Sequence, residues 1–286
     1  MIYPLLTKEL TSKDKLLKPD LSQKSGRELL AFYLQTKIKQ LIAFDKKYEK
    51  PLIIEVRPDF ISKFSKRLIN NPDKRLLIGI TGASASGKST ICSQIQRITQ
   101  DLNMPVSILS TDNYFKDISS LILKYGSFDK LRDSGYDIDS PEGFQLDVLY
   151  DDLENLSIGN DIFSPKYLPN GTGVSVPSAI PVKAEKIVII EGTATLFEGI
   201  KDIFDIKIYI EVCDELRKQR FMQRAATERN QDHENALKHW NYIVGAGKKY
   251  IAPTRKDADI IIDGDADLDY LSQVLEYLHY ITNSFE

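Results

Sequence analysis

One stretch limits the fold of this chain more than any other. The apolar run Leu76-Leu77-Ile78-Gly79-Ile80 leads through Thr81 into Gly82-Ala83-Ser84-Ala85-Ser86-Gly87-Lys88-Ser89-Thr90, which contains Gly-x-x-x-x-Gly-Lys-Ser. The apolar run reads as a buried strand, and Ile91, Ile95 and Ile98 then recur at helical spacing. A strand that turns through glycines into a helix is built to hold phosphate. The glycines let successive backbone N–H groups face inward, and the helix directs its positive end at the anion. On this reading Gly82, Ala83, Ser84, Ala85, Ser86, Gly87, Lys88, Ser89 and Thr90 cradle ATP or GTP, with Lys88 on the β- and γ-phosphates and Ser89 on magnesium.

The strand ahead of the loop is one of several. Val106-Ser107-Ile108-Leu109-Ser110, Ile187-Val188-Ile189-Ile190, Ile206-Lys207-Ile208-Tyr209-Ile210 and Ala258-Asp259-Ile260-Ile261-Ile262 read as further strands. The segment with Leu146, Leu149, Leu153 and Leu156 reads as a helix among them. Alternation of this kind predicts an α/β fold, a parallel sheet covered by helices on both faces. Before it lies a helical N-terminal extension, residues 1–74. Ser25-Gly26-Arg27-Glu28 has the form of a capping box, and a second helix beginning at Pro58 would carry Phe60, Ile61, Phe64 and Leu68. Asn70-Asn71-Pro72-Asp73 marks the break, and residues 75–286 form the nucleotide-binding domain.

Composition excludes several classes. At 286 residues, with 42% apolar and 28% charged side chains, the chain is neither fibrous nor broadly disordered. No apolar run approaches the roughly 20 residues of a membrane span, and the opening Met1-Ile2-Tyr3-Pro4 lacks a signal-peptide core, so a cytoplasmic setting is expected. Cys92 and Cys213 have no metal-ligand spacing and read as packing residues. Residues 1–75 hold 17 Lys and Arg against 9 Asp and Glu, whereas the remainder holds 21 against 32. The basic excess reads first as a solvated helical face; docking to another subunit, as in a homo-oligomer, or to an acidic partner stays open. No basic stripe interleaved with aromatics points to nucleic acid.

In open α/β sheets, ligands bind beyond the carboxyl ends of the strands. The phosphate loop ends one strand, Ser110-Thr111-Asp112-Asn113-Tyr114 ends the second, and Glu191-Gly192 ends the third. Asp112 is placed to accept a proton from an attacking hydroxyl, and Glu191 to complete the magnesium shell. Arg217, Arg220 and Arg224 share one helix face, with Arg229 beyond, and read as a lid over the triphosphate near residues 214–232. Arg220 belongs with the ATP-binding set, and Arg224 and Arg229 with the transferring phosphoryl group.

These motifs resemble the uridine kinase, phosphoribulokinase and pantothenate kinase branch of P-loop kinases, over about residues 76–264. The uridine-kinase-like matches are the phosphate loop, Leu109-Ser110-Thr111-Asp112-Asn113-Tyr114, and Ile190-Glu191-Gly192. They extend to Tyr136-Asp137-Ile138-Asp139-Ser140-Pro141, Pro165-Lys166-Tyr167 and Pro253-Thr254-Arg255-Lys256-Asp257-Ala258-Asp259. The resemblance implies an ATP- and Mg2+-dependent kinase acting on a hydroxyl of a small-molecule acceptor. It implies Asp112 as general base, and Ser89, Asp112 and Glu191 around magnesium. Asp112, Tyr114, Asp139 and Tyr167 would contact the acceptor, with Asp139 on sugar-type hydroxyls. The chain departs from uridine kinases at Thr172 and Gln231, where those enzymes carry a His and an Arg that read the base, so uridine and cytidine are expected to be poor acceptors. A pantothenate-type acceptor is the second expectation. A nucleotide-driven switch with no metabolite acceptor is the reading from another class, and Asp112 and the hairpin-like segment near 165–176 speak against it.

Overall fold

The computed structural model describes residues 19–168, 171–229 and 231–283. Its centre is a six-stranded sheet made of β1 (Ile53–Val56), β2 (Leu76–Thr81), β3 (Val106–Ser110), β6 (Ile187–Glu191), β7 (Ile206–Glu211) and β8 (Ile260–Asp263), in the order β1-β8-β7-β2-β6-β3. All neighbours run parallel except β1, which pairs antiparallel with β8. β4 (Ile162–Tyr167) and β5 (Ser175–Val182) form a separate antiparallel hairpin.

The continuous apolar strands are explained by burial on both faces. Side chains alternate across a strand, so Leu77, Val188, Ile190, Tyr209 and Ile261 enter one core, with Leu149, Leu153 and Leu156 of α6 (Leu146–Ser157). Those three leucines are wholly buried, a gain of about 1.5–3 kcal/mol each. Ile80, Ile189, Ile210 and Ile262 enter the other core, against Ile91 of α3 (Lys88–Asp101) and Tyr270, Tyr277 and Ile281 of α9 (Leu268–Asn283). Helices therefore cover both faces, as the alternation predicted.

The N-terminal segment departs from the expectation of helices alone. It contains α1 (Lys24–Asp45) and α2 (Phe60–Asn70), but the residues between them form β1, so the sheet does not begin at residue 75. Asp45, buried at the end of α1, accepts hydrogen bonds from the backbone N–H groups of Leu52 and Ile53 and thereby sets the entry to β1. Leu41 and Leu52 join the same core as Tyr270 and Tyr277. The capping box does not form. α1 begins two residues earlier with Gln23 at its N-cap, and a turn in which Gln23 N–H donates to the Asp20 carbonyl starts the helix instead. α2 likewise starts two residues past Pro58.

Among the described residues no helix is long and apolar enough to cross a membrane. Between β3 and α6 lie two short helices, α4 (Ser119–Tyr125) and α5 (Phe128–Asp133); after β7 come α7 (Asp214–Thr227) and α8 (His233–Ala246). These four elements, with the β4–β5 hairpin, stand around the carboxyl ends of the parallel strands.

Candidate active site

Parallel register brings the expected residues to one rim. Glu191 pairs with Ile80 of β2 on one side and with Ser110 of β3 on the other, so the phosphate loop, Glu191 and the Asp112 turn leave the sheet side by side. The loop's backbone is tightly confined. Gly82 has φ of 152°, and a Cβ there would stand 2.6 Å from the Ile210 carbonyl oxygen. The Ser86 hydroxyl is buried without a hydrogen-bond partner. Lys88 Nζ donates to the carbonyl oxygens of Gly82 at 2.9 Å and Ala83 at 3.3 Å, folding the ammonium back over the loop.

Charges converge here. Burial lowers the Lys88 pKa, while Asp112 and Glu191 act in the opposite sense. Burial raises Glu191, and the neighbouring Asp112 raises it further, whereas Lys88 and the hydroxyls of Ser110 and Ser89 favour its charged form. Asp112 lies in the turn Thr111–Tyr114; desolvation of its carboxyl raises its pKa, and Lys88, Arg224 and Arg229 lower it. The donor set of Ser89, Asp112 and Glu191 is all oxygen, the chemistry that suits Mg2+, which takes one or two carboxylates and leaves its other positions to phosphate and water. Among the described residues no group of three His, Cys, Asp or Glu forms a closed metal cage.

The arginine row divides by role. Arg217 is buried and donates through Nε to the Ser84 carbonyl at 3.0 Å, with its guanidinium over Trp240, so it braces the phosphate loop from beneath. Arg220, expected on the nucleotide, has its donors on the Gly264 carbonyl at 3.0 Å and the Asp265 carboxylate at 2.9 Å. It secures the loop after β8 against the phosphate loop, where a Cβ on Gly264 would lie 2.1 Å from the Ser86 carbonyl oxygen. Arg224 is exposed and pairs with Glu228 one turn on, and Arg229 stacks over Phe221. These two act electrostatically on Asp112, lowering its pKa.

A second group of ionisable side chains is coupled to Asp112. Asp139 acts on Tyr167 and is itself acted on by Asp112 and Arg132; burial pushes its carboxyl up to about 6. Tyr167, at the end of β4, packs against Phe115 at 5.3 Å between ring centroids, and its hydroxyl is buried without a partner. Burial, with Asp117 next, pushes that hydroxyl up to about 12, so it stays protonated. The hairpin expected near 165–176 is present as β4–β5 and supplies this residue.

Tyr114 does not join the pocket. It is wholly buried and donates its hydroxyl to Asp152 at 2.6 Å, because the turn after β3 rotates it into the core beneath the rim. Thr172 and Gln231 are described, and the Gln231 side-chain carbonyl is buried without a partner; Asn170, beside Thr172, lies outside the described residues. Four wall residues were not anticipated as a group: Arg132, Asp137, His239 and Tyr242. Asp137 stands in the matched segment before Asp139 and accepts from the hydroxyls of Tyr242 and Tyr250, each at 2.8 Å. Arg132 belongs to no motif, and only the fold of α5 brings it here.

A family model described as Phosphoribulokinase / Uridine kinase family matches residues 77–269. The chain is 33% identical over 207 residues to uridine-cytidine kinase A of Dictyostelium discoideum, covering 71% of this chain and 38% of that protein. It is 33% identical over 189 residues to a uridine kinase of Clostridium novyi, covering 65% of this chain and 86% of that one. The fold is similar to that of a putative fructose transport system kinase from Silicibacter, with TM-score 0.50 and 21% identity over 69% of this chain and 92% of the other. It is also similar to D-glycerate 3-kinase from Cryptococcus neoformans, with TM-score 0.50 and 11% identity over 73% and 94% of the two chains.

Proposed function

The chain belongs to the phosphoribulokinase / uridine kinase family, and from that premise we propose that it transfers the γ-phosphoryl group of ATP, with Mg2+, to a hydroxyl of a small-molecule acceptor. The observation that carries the reading is the convergence of Lys88, Asp112 and Glu191 at one rim, each altering the ionisation of another. A loop that only bound and hydrolysed nucleotide would have no need of a carboxylate facing a second, walled pocket.

In this reading the backbone of the loop from Gly82 to Thr90 holds the phosphates, and the unpartnered Ser86 hydroxyl and the Lys88 ammonium are available to them. Ser89, Asp112 and Glu191 would hold the metal, which neutralises phosphate charge when bound. Asp112 orients the acceptor hydroxyl and takes its proton as the oxygen attacks in line. Arg224 and Arg229 stabilise charge spread over the transferring group, while Arg217 and Arg220 keep the loop in shape. Asp139 accepts hydrogen bonds from neighbouring acceptor hydroxyls, which favours a nucleoside or other sugar-type acceptor. Thr172 and Gln231 replace the residues with which uridine kinases read the base, so other side chains read the rest of the acceptor. A cytoplasmic setting fits a donor drawn from the cellular ATP pool.

The test is ATP turnover with and without nucleosides, sugar acids and polyols. Turnover that rises with one acceptor class, and falls by roughly 10²–10⁴ in Asp112→Asn with ATP binding retained, supports the reading. Equal basal hydrolysis under all conditions contradicts it.

A further inference from the structure

Arg132 is a cation near Asp139 that the phosphoryl-transfer chemistry does not use. It lies on α5, with its guanidinium carbon over the Tyr242 ring at 4.1 Å from the centroid, and its side chain is 20% exposed. Its ion pair is with Asp129, one turn back, at 3.5 Å, and that carboxylate is 84% exposed, so solvent screens the pair. Asp137 is not its counter-ion, because the hydroxyls of Tyr242 and Tyr250 hold both of its oxygens and Lys249 stands nearby. Arg132 Nε is buried with no hydrogen-bond partner. An unmatched buried donor is costly to keep, which is the pattern of a group whose partner arrives with a ligand.

A second unmatched group shares the wall. The Tyr167 hydroxyl is buried and unpartnered, and the charges of Arg132 and Asp139 both act on it. Burial, with the charges of Arg132 and Arg229 next, holds the His239 pKa down to about 4, so that imidazole is neutral and offers no competing cation. Tyr167 stays protonated. The wall thus presents two donors, one of them on a fixed plane, while Asp139 presents an acceptor. A guanidinium fixed against an aromatic ring has its edge free for a planar oxygen group.

We propose that Arg132 is a specificity-determining residue that, with the Tyr167 hydroxyl, binds a carbonyl or carboxylate oxygen of the acceptor while Asp139 takes its hydroxyls. The inference rests on the kinase reading of the same pocket and adds the class of acceptor: a polyhydroxy compound bearing a planar oxygen group. A compound with hydroxyls alone leaves both donors unmatched and is discriminated against on that ground.

Three probes separate the sources of that oxygen: D-glycerate for a carboxylate, uridine for a neutral carbonyl, and erythritol for hydroxyls alone. Binding is read by thermal shift in the presence of ADP, and transfer by kcat and KM with ATP. The wild-type chain is expected to favour D-glycerate or uridine over erythritol by at least tenfold. Arg132→Leu should abolish that preference, with a loss of roughly 10–100-fold for the favoured probe and less than threefold for erythritol. Arg132→Lys, which keeps the charge without the stacked plane, should fall between. Preference for D-glycerate assigns a carboxylate; preference for uridine assigns a carbonyl. An equal loss for all three probes marks Arg132 as merely structural and overturns the proposal, as does an unchanged preference in Arg132→Leu. A wild-type chain that favours neither oxygen-bearing probe, or binds none of the three, also overturns it. Binding with the expected preference but no phosphoryl transfer leaves this proposal standing and refutes the kinase reading instead.

Discussion

Replacing Asp139 by Asn should make the protein more stable and less active, and the size of the effect follows from its surroundings. Burial moves the Asp139 carboxyl from an ordinary 3.8 to about 6. Between those values the folded chain keeps a proton that the unfolded chain releases, so stability falls as pH rises through that window and the deficit is constant above it. About two units correspond to at most about 3 kcal/mol, and residual contact with water in the pocket reduces this to about 1–2 kcal/mol. Asn has the shape of Asp without the charge. At pH 7.5 Asp139→Asn should therefore unfold roughly 2–4 °C above the wild-type chain. At pH 4.5, where the folded carboxyl is largely protonated but the unfolded one is not, the gap should shrink to roughly a third. Thermal unfolding at the two values of pH, with acceptor KM measured alongside, supplies the data. The KM should rise in the variant, and in the wild-type chain it should rise as pH falls below about 6. A variant less stable at pH 7.5 would refute the argument, because Asp139 would then be stabilising the fold through its charge; so would a gap undiminished at pH 4.5, because it would not come from the titration of Asp139.

Two further perturbations probe the loop and the edge strand. Lys88→Ala should remove transfer while leaving the unfolding temperature within a few degrees, since Lys88 Nζ bonds loop carbonyls and enters neither core; near-normal turnover would remove the phosphate loop from the mechanism. Leu52→Ala should cost about 2–5 kcal/mol in denaturant unfolding, because Leu52 is 4% exposed in the core shared with Tyr270; a cost under about 1 kcal/mol would show that the N-terminal segment packs independently of the sheet.

The parts of the fold that could be read in advance are those where one local rule decides. Five strands rich in Ile, Val and Leu, and a loop whose glycines and lysine have a single geometric purpose, were legible for that reason. β1 was not, because four residues with Glu55 among them make no periodic signal; its partner β8 and the Asp45 carboxylate define it, and both are distant in sequence or in kind. Arginines at helical spacing look alike whether they face water or protein. Arg217 turned inward because the Ser84 carbonyl and the Trp240 ring await it, neither of which the spacing reveals. Tyr114 sits two residues after Asp112, yet the tight turn sends the two side chains to opposite sides of the rim. Arg132 was silent for a related reason: its meaning comes from Tyr242, 110 positions later by the numbering of the chain.

The central claim is that the Asp112 rim passes phosphate to a carbon-borne hydroxyl and not to water. Following the γ-phosphoryl group of labelled ATP in the presence of the acceptor panel tests it directly. The account predicts label in a phosphate ester of one acceptor class, ADP formed in equal amount, and loss of the ester in Asp112→Asn with nucleotide still bound. Label found solely in inorganic phosphate, at a rate no acceptor changes, would contradict it.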